Sequence, residues 1–451
     1  MDLSTSLLAF ERETTLETPK LLSIVDNFTE TYQYGLTNDH SIMIPSYVSR
    51  LPTGKEMGTY FALDLGGTNL RVAAVTLLGD GKTSVEQRIY VIPDHFKMGT
   101  AEELFDWIAL ITQELLESLS SKVINANNDK MFMGVTFSFP IDQTAIDRGK
   151  VMHMGKGFKV IGLEGNDPVE FLQQAYNRKG INIHISAIVN DSVGALVANA
   201  YKDQNTIISV IQGTGTNAAC IVQIGSIKKK KFPPRFPEYM IINTEWSLVG
   251  ADFLPFTKYD RLLDEQSDTP GFQPFEKMTS GMYLGELVRL VIVDYVENFG
   301  LFEGKLPKEL GIKYNFKTTH MSDIESDLSK DCTGTLKVLT KNFDFIKNPS
   351  IEDAGIIKRI VQRFTRRSCQ LQAAAIASLI KLQCPEFPEV EREIRVAIDG
   401  SIFHHYFKYS ILMSKALKDI QQTKEAKKIK LVGILDGGCI GAAIIAMMYS
   451  R

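Results

Sequence analysis

One strand–turn–strand pattern occurs twice in this chain, with the two turns about 148 residues apart. The first copy spans residues 60–75 and the second spans residues 207–222. Each has an apolar run, a short polar turn and a second apolar run, which is typical of a β-hairpin. The turns read Gly66-Gly67-Thr68-Asn69 and Gly213-Thr214-Gly215-Thr216-Asn217.

Both turns carry residue types that suit phosphate binding. Glycine lets backbone N–H groups approach an anion closely, and threonine and asparagine add side-chain donors. Either turn alone is also consistent with an ordinary hairpin. Two matching copies, the first preceded by Asp64, favour a clamp that holds a nucleotide polyphosphate from both sides.

The composition indicates a globular protein of two or three domains. The 451 residues are 44% hydrophobic and 23% charged, with a net charge of −3, so no nucleic-acid or membrane partner is indicated. The apolar runs are shorter than the roughly 20 residues that span a bilayer, and no secretory signal is expected at the N-terminus. Five cysteines without Cys-x-x-Cys spacing predict reduced structural thiols in the cytoplasm and no zinc site.

Strands and helices are predicted to alternate, which favours an α/β architecture. Residues 1–57 should be mainly helical, and the run Lys228–Lys231 should be a solvated loop. We expect strands at 59–64, 70–77, 87–92, 131–139, 183–189, 239–243 and 430–435, besides the hairpin 207–224. We expect helices at 100–120, from 190 through 200, at 280–298 and at 440–448.

The motifs, taken in order, resemble those of the hexokinase family over nearly the whole chain. Leu63–Arg71 is similar to the first phosphate loop of that family. The remaining matches are Gly134–Pro140 with Gln143, Lys156-Gly157-Phe158, Asn190-Asp191, Gly213–Asn217, Ile242–Trp246, Phe275–Glu286, Asp399-Gly400-Ser401 and Asp436-Gly437. The resemblance implies a two-lobed actin-like ATPase (ribonuclease H-like) fold with a duplicated βββαβα core and a central cleft.

The same resemblance implies a division of the chain. Residues 1–52 would form an N-terminal helical segment packing on the large lobe, residues 53–190 the small subdomain, and residues 191–451 the large subdomain. Closure of the two lobes would exclude water and favour transfer to a sugar over hydrolysis of ATP.

The resemblance also implies the site residues. Asp191 would be the general base that takes the proton from the 6-hydroxyl of a sugar, assisted by Lys156. The sugar would be bound by Ser138, Phe139, Gly155, Lys156, Asn190, Asp191, Asn217, Glu245, Gln273 and Glu276. ATP would be bound by Asp64, Gly66, Gly67, Thr68, Asn69, Arg71, Gly213, Thr214, Gly215, Gly281, Gly400, Ser401, Gly437 and Gly441. Mg²⁺ would be held mainly through ATP and water near Asp64 and Asp191, without a direct protein ligand.

Several of these residues also have ordinary structural interpretations. Asp191 could simply cap a helix, and Arg71 could form a salt bridge on its strand. Glu245 could be a surface strand residue and Glu276 a helix-start acid. Trp246, beside Glu245, is expected in the core.

The chain departs from the family pattern at three places. Most glucose-phosphorylating members have Trp-Thr before Lys-Gly-Phe, whereas this chain has Met154-Gly155, preceded by His153. That change, with Ser247 in place of a usual glycine, is similar to the fungal N-acetylglucosamine kinases of the family. The adenosine loop, normally Asp-Gly-Ser-Gly-x-Gly, has Gly438 and Cys439 at its third and fourth positions, and Cys439 would be strained if its φ had to be positive.

Three functional hypotheses follow. The first is an ATP-dependent hexose 6-kinase in the cytoplasm, a monomer or homodimer, acting on a glucose-type hexose or on N-acetylglucosamine. The second is a sugar sensor that keeps the fold but has lost efficient use of ATP. The third is an actin-like or chaperone ATPase without a sugar, which the ring of polar side chains disfavours.

Overall fold

The computed structural model describes residues 2–38, 41–119, 131–155, 157–233, 236–384, 393–421 and 428–450. Its strands are β1 Ile44–Pro45, β2 Met57–Leu65, β3 Asn69–Gly79, β4 Lys82–Val91, β5 Met131–Phe137, β6 Ile141–Ala145, β7 Arg148–Val151, β8 Ile183–Val189, β9 Thr206–Gln212, β10 Thr216–Gln223, β11 Tyr239–Asn243, β12 Ile394–Asp399 and β13 Ile429–Gly433.

The α-helices lie between and beside these strands. They are α1 Leu3–Glu13, α2 Thr18–Thr37, α3 Asp94–Lys97, α4 Ala101–Ser118, α5 Pro168–Lys179, α6 Asp191–Lys202, α7 Lys258–Gln266, α8 Pro274–Thr279, α9 Gly281–Phe299, α10 Thr318–Ser326, α11 Thr333–Asn342, α12 Ile351–Gln383, α13 Ser401–His405, α14 Tyr409–Gln421 and α15 Gly437–Tyr449. Short 3₁₀ turns occur at Ile224–Ser226, Trp246–Leu248, Leu301–Gly304 and Lys308–Gly311.

Two sheets repeat one topology, and each defines a lobe. The small lobe has strand order β4-β3-β2-β5-β8, and the large lobe has β1-β11-β10-β9-β12-β13. In each sheet three antiparallel strands follow one another in the chain, and two strands parallel to the first of them are then added. The large-lobe sheet also has the short strand β1 at its edge, beside β11. The predicted α/β class and the duplicated core are therefore confirmed.

Helices α6 and α15 pack on each other between the two sheets. Their small residues and the inward faces of both sheets form one buried cluster, which includes Ala62 from the small lobe and Ala219 from the large lobe. A Cβ built on Gly441 of α15 would overlap the backbone oxygen of Gly194 in α6, so the helices touch through their backbones. This pair forms the floor between the lobes.

The N-terminal helices α1 and α2 pack against the large lobe. Phe10 and Phe28 are buried in its core, and Phe28 meets Phe253 and Phe275 edge to ring at centroid distances of 5.1 Å each. The described part of residues 1–57 is mainly helical, as predicted, and the chain after α2 also includes the short strand β1.

Some predicted elements need correction. Strands β6, β7 and β12 and the 33-residue helix α12 were not predicted. Ser120, the predicted end of the helix from residue 100, lies outside the described residues. Lys228–Lys231 is a loop, but it is not merely solvated, because Lys229 Nζ donates to Ile42 O at 2.6 Å and Lys230 Nζ to Gln143 O at 2.7 Å.

Candidate active site

The first phosphate turn joins β2 to β3, and Asp64 lies near the end of β2. Thr136 Oγ1 donates to Asp64 Oδ1 at 2.8 Å, and Arg71 Nη1 lies 3.5 Å from Asp64 Oδ2. Burial raises the pKa of Asp64 to about 6, and the nearby charges of Asp191 and Asp399 act in the same direction. The carboxyl group is therefore placed where a bound cation would stabilise its charged form.

The second phosphate turn joins β9 to β10, and the start of α9 supports it. The N–H of Gly281 donates to Gly213 O at 2.9 Å, and the N–H of Met282 donates to Thr214 O at 3.1 Å. Gly213 also faces Gly400 and Ser401, which lie at 3.6 Å from a Cβ built on it. The structure thus brings three of the predicted ATP-binding segments together.

The adenosine loop, which begins at Asp436, lies beside the segment Asp399-Gly400. Gly400 has a φ of 125°, which side chains rarely adopt. Asp399 Oδ2 accepts a hydrogen bond from the N–H of Gly437 at 2.7 Å. Arg71 Nη1 lies 3.1 Å from Asp436 Oδ1, so the salt bridges considered for Arg71 are present and link the first turn to this loop.

The substitution at Cys439 does not strain the backbone. Asp436 takes the left-handed conformation, with a φ of 55°, and Cys439 lies inside α15. Its thiol is buried, and burial raises its pKa. Gly441 lies two residues further along, at the crossing with α6; its contact with ATP stays a prediction.

Asp191 is the first residue of α6, and Asn190 is the capping residue. The N–H of Ser192 is shared between Asn190 Oδ1 at 2.9 Å and Asp191 Oδ1 at 2.8 Å. The other Asp191 oxygen accepts from Ser138 Oγ at 2.9 Å. The capping role foreseen for Asp191 therefore belongs mainly to Asn190, and the contact with Ser138 turns one Asp191 oxygen toward the end of β5.

A chain of amide and carboxylate groups continues from Asn190. Asn217 Nδ2 donates to Asn190 Oδ1 at 3.1 Å and to Asn243 Oδ1 at 2.9 Å. Asn243 Nδ2 in turn donates to Glu245 Oε1 at 2.8 Å. Glu245 is buried and takes a φ of 48°, so it is not a surface strand residue.

Glu276 and Gln273 complete this group from α8 and the residue before it. Glu276 Oε2 accepts from the N–H of Thr216 at 2.9 Å, and its side chain is buried although it lies in the first turn of a helix. Gln273 has a φ of 54°, and its Nε2 makes a long contact of 3.4 Å with Ser247 Oγ. Trp246 is fully buried, as predicted.

The loop after β7, in the small lobe, borders the polar side chains described above. Phe139 is buried against the ring of Phe158 at a centroid distance of 5.0 Å. Among the described residues nothing lies within 4 Å of a Cβ built on Gly155, whereas the ring of His153 meets Phe272 of the large lobe edge to ring at 6.2 Å. Lys156, predicted to act in catalysis and to bind sugar, lies outside the described residues.

Sequence reasoning missed the residues that hold the predicted ones in place. Thr136 orients Asp64, Asn243 joins Asn217 to Glu245, and Thr318 Oγ1 donates to Gly281 O at 2.7 Å. Asn243 lay within a matched motif and could have been proposed from its spacing to Glu245. Nothing in the sequence pattern points to Thr318, because its partner lies 37 residues away.

Family models described as "Hexokinase" match residues 6–201 and residues 207–448. Hexokinase-1 of Spinacia oleracea is 38% identical over 442 residues, which cover 96% of this chain and 88% of that protein. The chain belongs to the hexokinase family.

Other members agree in sequence and in structure. Hexokinase-1 of Nicotiana tabacum is 35% identical, covering 98% of this chain and 90% of that protein. A hexokinase of Schistosoma mansoni, solved in complex with glucose, superposes with a TM-score of 0.87 at 32% identity, covering 99% of both chains. The fold is therefore the two-lobed actin-like architecture, and the chain is an ATP-dependent hexose 6-phosphotransferase that uses Mg²⁺.

The residues fit Mg-ATP without forming a metal cage. Within the described parts of the chain, no cluster of three or more His, Cys, Asp or Glu side chains could hold a metal ion by itself. Asp64 and Asp191 remain the residues predicted to hold the metal of Mg-ATP through water, and the charge of Asp191 contributes to the raised pKa of Asp64. When bound, the ion neutralises charge on the phosphate oxygens.

No helix in the described ranges has the length and apolarity needed to cross a bilayer.

Proposed function

We propose that this hexokinase transfers the γ-phosphate of Mg-ATP to the 6-hydroxyl of a hexose, with Asp191 as the general base. The observation that carries the proposal is the contact of 2.9 Å between Ser138 Oγ and Asp191 Oδ2, beside the amide group of Asn217 and Asn190. Asp191 would take the hydroxyl proton as the oxygen attacks the γ-phosphorus, and the bond to the bridging oxygen of ADP would break.

The polar group supports sugar recognition. Hydroxyl groups need paired donors and acceptors, and Asn190, Asn217, Glu245 and Glu276 offer both kinds from separate loops. Each of these side chains would have to exchange one protein contact for a sugar hydroxyl. A site of this type disfavours analogues that lack a hydroxyl, because buried polar groups would then be left unpaired. Lys156 would add a cation to the same site.

A glucose-type hexose is the first candidate substrate. The Schistosoma mansoni hexokinase, which covers the same length and was solved with glucose, supports it. N-acetylglucosamine is the second candidate, because the space beside Gly155 could hold a substituent larger than a hydroxyl. N-acetylglucosamine would need the open space beside residue 155, whereas glucose would not.

The test is ADP formation by purified protein with glucose, mannose, fructose and N-acetylglucosamine supplied separately. The variant Gly155→Thr fills the open space and adds a hydroxyl. If the acetamido group uses this space, the variant loses turnover on N-acetylglucosamine and keeps turnover on glucose. The family membership does not support the sensor alternative, and sugar binding without turnover on any of the four would contradict the proposal.

Three further statements stand as proposals. We place the subdomain boundary at residues 190 and 191, with residues 1–52 as an N-terminal segment. We expect the protein to act in the cytoplasm. We also expect a monomer or a homodimer, which sedimentation analysis of the purified protein would establish.

A further inference from the structure

The carboxylate of Glu276 lies directly against the second phosphate turn. Its Oε2 accepts the N–H of Thr216 at 2.9 Å, and that residue begins β10, 60 positions earlier in the chain. Glu276 is buried, and it is one of the residues proposed above to bind the sugar. A segment assigned to the nucleotide therefore touches a side chain assigned to the sugar.

Gly215 is required here for space and not for backbone conformation. It is absent from the glycines with a positive φ, so an alanine could adopt its backbone angles. A Cβ at this position, however, would lie 2.6 Å from Glu276 Oε2 and 3.3 Å from its Cδ. The missing side chain is what lets the carboxylate reach the N–H of Thr216.

Hydrogen bonds to the hydroxyl group of Thr216 fix the direction of its backbone N–H. Thr216 Oγ1 accepts from Trp246 Nε1 at 3.1 Å and from Gln372 Nε2 at 2.9 Å. All three residues are buried, and Gln372 belongs to the long helix α12. The core of the large lobe thus holds the start of β10, and through it the Glu276 carboxylate, in one position.

We propose that Gly215 and Thr216 are positioning residues for Glu276 and so set the affinity for the sugar. The inference rests on the proposed function of Glu276 as a sugar ligand. It gives the second phosphate turn two roles, because the same turn also faces Gly400 and Ser401 on the nucleotide side. A change in the shape of the turn should therefore change sugar affinity even when no nucleotide is present.

The test is the dissociation constant for the preferred hexose, measured by calorimetry without nucleotide. Gly215→Ala should raise it about tenfold or more, since loss of hydrogen bonds to a charged group has effects of this size. Gly213→Ala is the matched control in the same turn, because its Cβ would meet atoms only at 3.6 Å or more. That variant should change the dissociation constant for the sugar less than twofold, and any effect should be on the affinity for ATP.

A double-mutant cycle shows whether Gly215 acts through Glu276. In a Glu276→Ala background, adding Gly215→Ala should change the sugar constant little, because the obstructed carboxylate is gone. Equal effects of Gly215→Ala in both backgrounds would overturn the inference. The inference would also be overturned if Gly215→Ala left the dissociation constant for the sugar unchanged and raised only the dissociation constant for ATP.

Thr216 provides a test that does not depend on the tolerance of Gly215. Thr216→Val keeps the N–H but removes the hydroxyl that Trp246 and Gln372 hold, and it should weaken sugar binding. Thr216→Ser keeps the hydroxyl and should bind sugar almost as the wild type does. Failure of the wild type to bind any hexose would refute the proposed function itself, whereas wild-type binding with both valine and serine variants unchanged would refute only this inference.

Discussion

Two helix glycines should respond to alanine in opposite directions. Gly441 is the fifth residue of α15 and Gly355 is the fifth residue of α12. In the described part of the chain nothing lies within 4 Å of a Cβ built on Gly355, whereas a Cβ on Gly441 would overlap the backbone oxygen of Gly194. The gain in helix propensity is thus nearly the same for both substitutions. The difference between their effects on the free energy of unfolding therefore measures the cost of packing the added methyl group.

The expected magnitudes follow from that geometry. Alanine in a helix interior is favoured over glycine by about 0.5–1 kcal/mol, so Gly355→Ala should stabilise the protein by this amount. Inserting a methyl group into a packed core typically costs about 1–3 kcal/mol. We expect the upper end for Gly441→Ala, because the obstacle is a backbone atom and both helices are held between two sheets. The two variants should therefore differ by about 3 kcal/mol.

Urea unfolding of wild type and both variants, followed by far-ultraviolet circular dichroism and by fluorescence, measures this difference. The tryptophans report on both lobes, since Trp107 lies in α4 of the small lobe and Trp246 in the large lobe. Gly441→Ala should lower the unfolding midpoint for both probes, and Gly355→Ala should raise it slightly. Equal stability of the two variants would refute the close helix contact.

Three other changes have predicted outcomes. Arg367→Met removes one partner of a buried pair with Asp260, whose oxygens lie 2.6 and 2.7 Å from the guanidinium, and should cost about 3–5 kcal/mol in urea unfolding; a loss below about 1 kcal/mol would contradict this. Burial raises the pKa of Glu325 to about 7, so the folded state holds this proton more tightly than the unfolded state, and its contribution to stability falls as pH rises from about 4.5 to 7. Glu325→Gln should therefore gain stability relative to wild type between pH 5 and pH 8, and a constant difference across that range would be inconsistent with the shift. Ser138→Ala removes the donor to Asp191 and should lower kcat/KM about tenfold in steady-state assays, so an unchanged value would exclude this contact from catalysis.

Local patterns predicted much of the fold. The strand Ile183–Val189 was predicted with its observed bounds because it is a short apolar run followed by the capping residue Asn190. The helix predicted from residue 100 begins at Ala101, where Thr100 forms a capping box with Glu103. In both cases the signal lies within a few residues of the element it defines.

The missed elements had weaker or longer-range signals. Strands β6 and β7 carry charged residues such as Arg148 and Lys150 and lack a clear apolar alternation. Helix α12 does have apolar residues at helical spacing, so its pattern could have been recognised. Lys230 was predicted to lie in a solvated loop because the local sequence does not reveal its ion pair with Asp142. That partner is 88 residues away, and the pair exists only after the chain has folded.

The candidate site divides in the same way. Motif residues such as Asp64, Asp191 and Asn217 could be proposed from the sequence, because the motifs around them resemble those of the hexokinase family and their types suit phosphate and sugar chemistry. The supporting contacts could not, since the distance from Glu276 to Thr216 depends on how α8 packs beside β10. The sequence pattern assigned Gly215 to the nucleotide, and only the structure places it against a proposed sugar ligand.

The most direct test of the proposed mechanism is sugar-dependent ADP formation by the wild type and by Asp191→Asn, measured side by side with calorimetric sugar binding. We predict that the wild type turns over at least one hexose. The variant should lose turnover by a factor of about 10²–10⁴ while still binding the sugar, because only the general base is removed. Comparable turnover by the two proteins, or ATP hydrolysis that no sugar accelerates, would contradict the proposed role of Asp191.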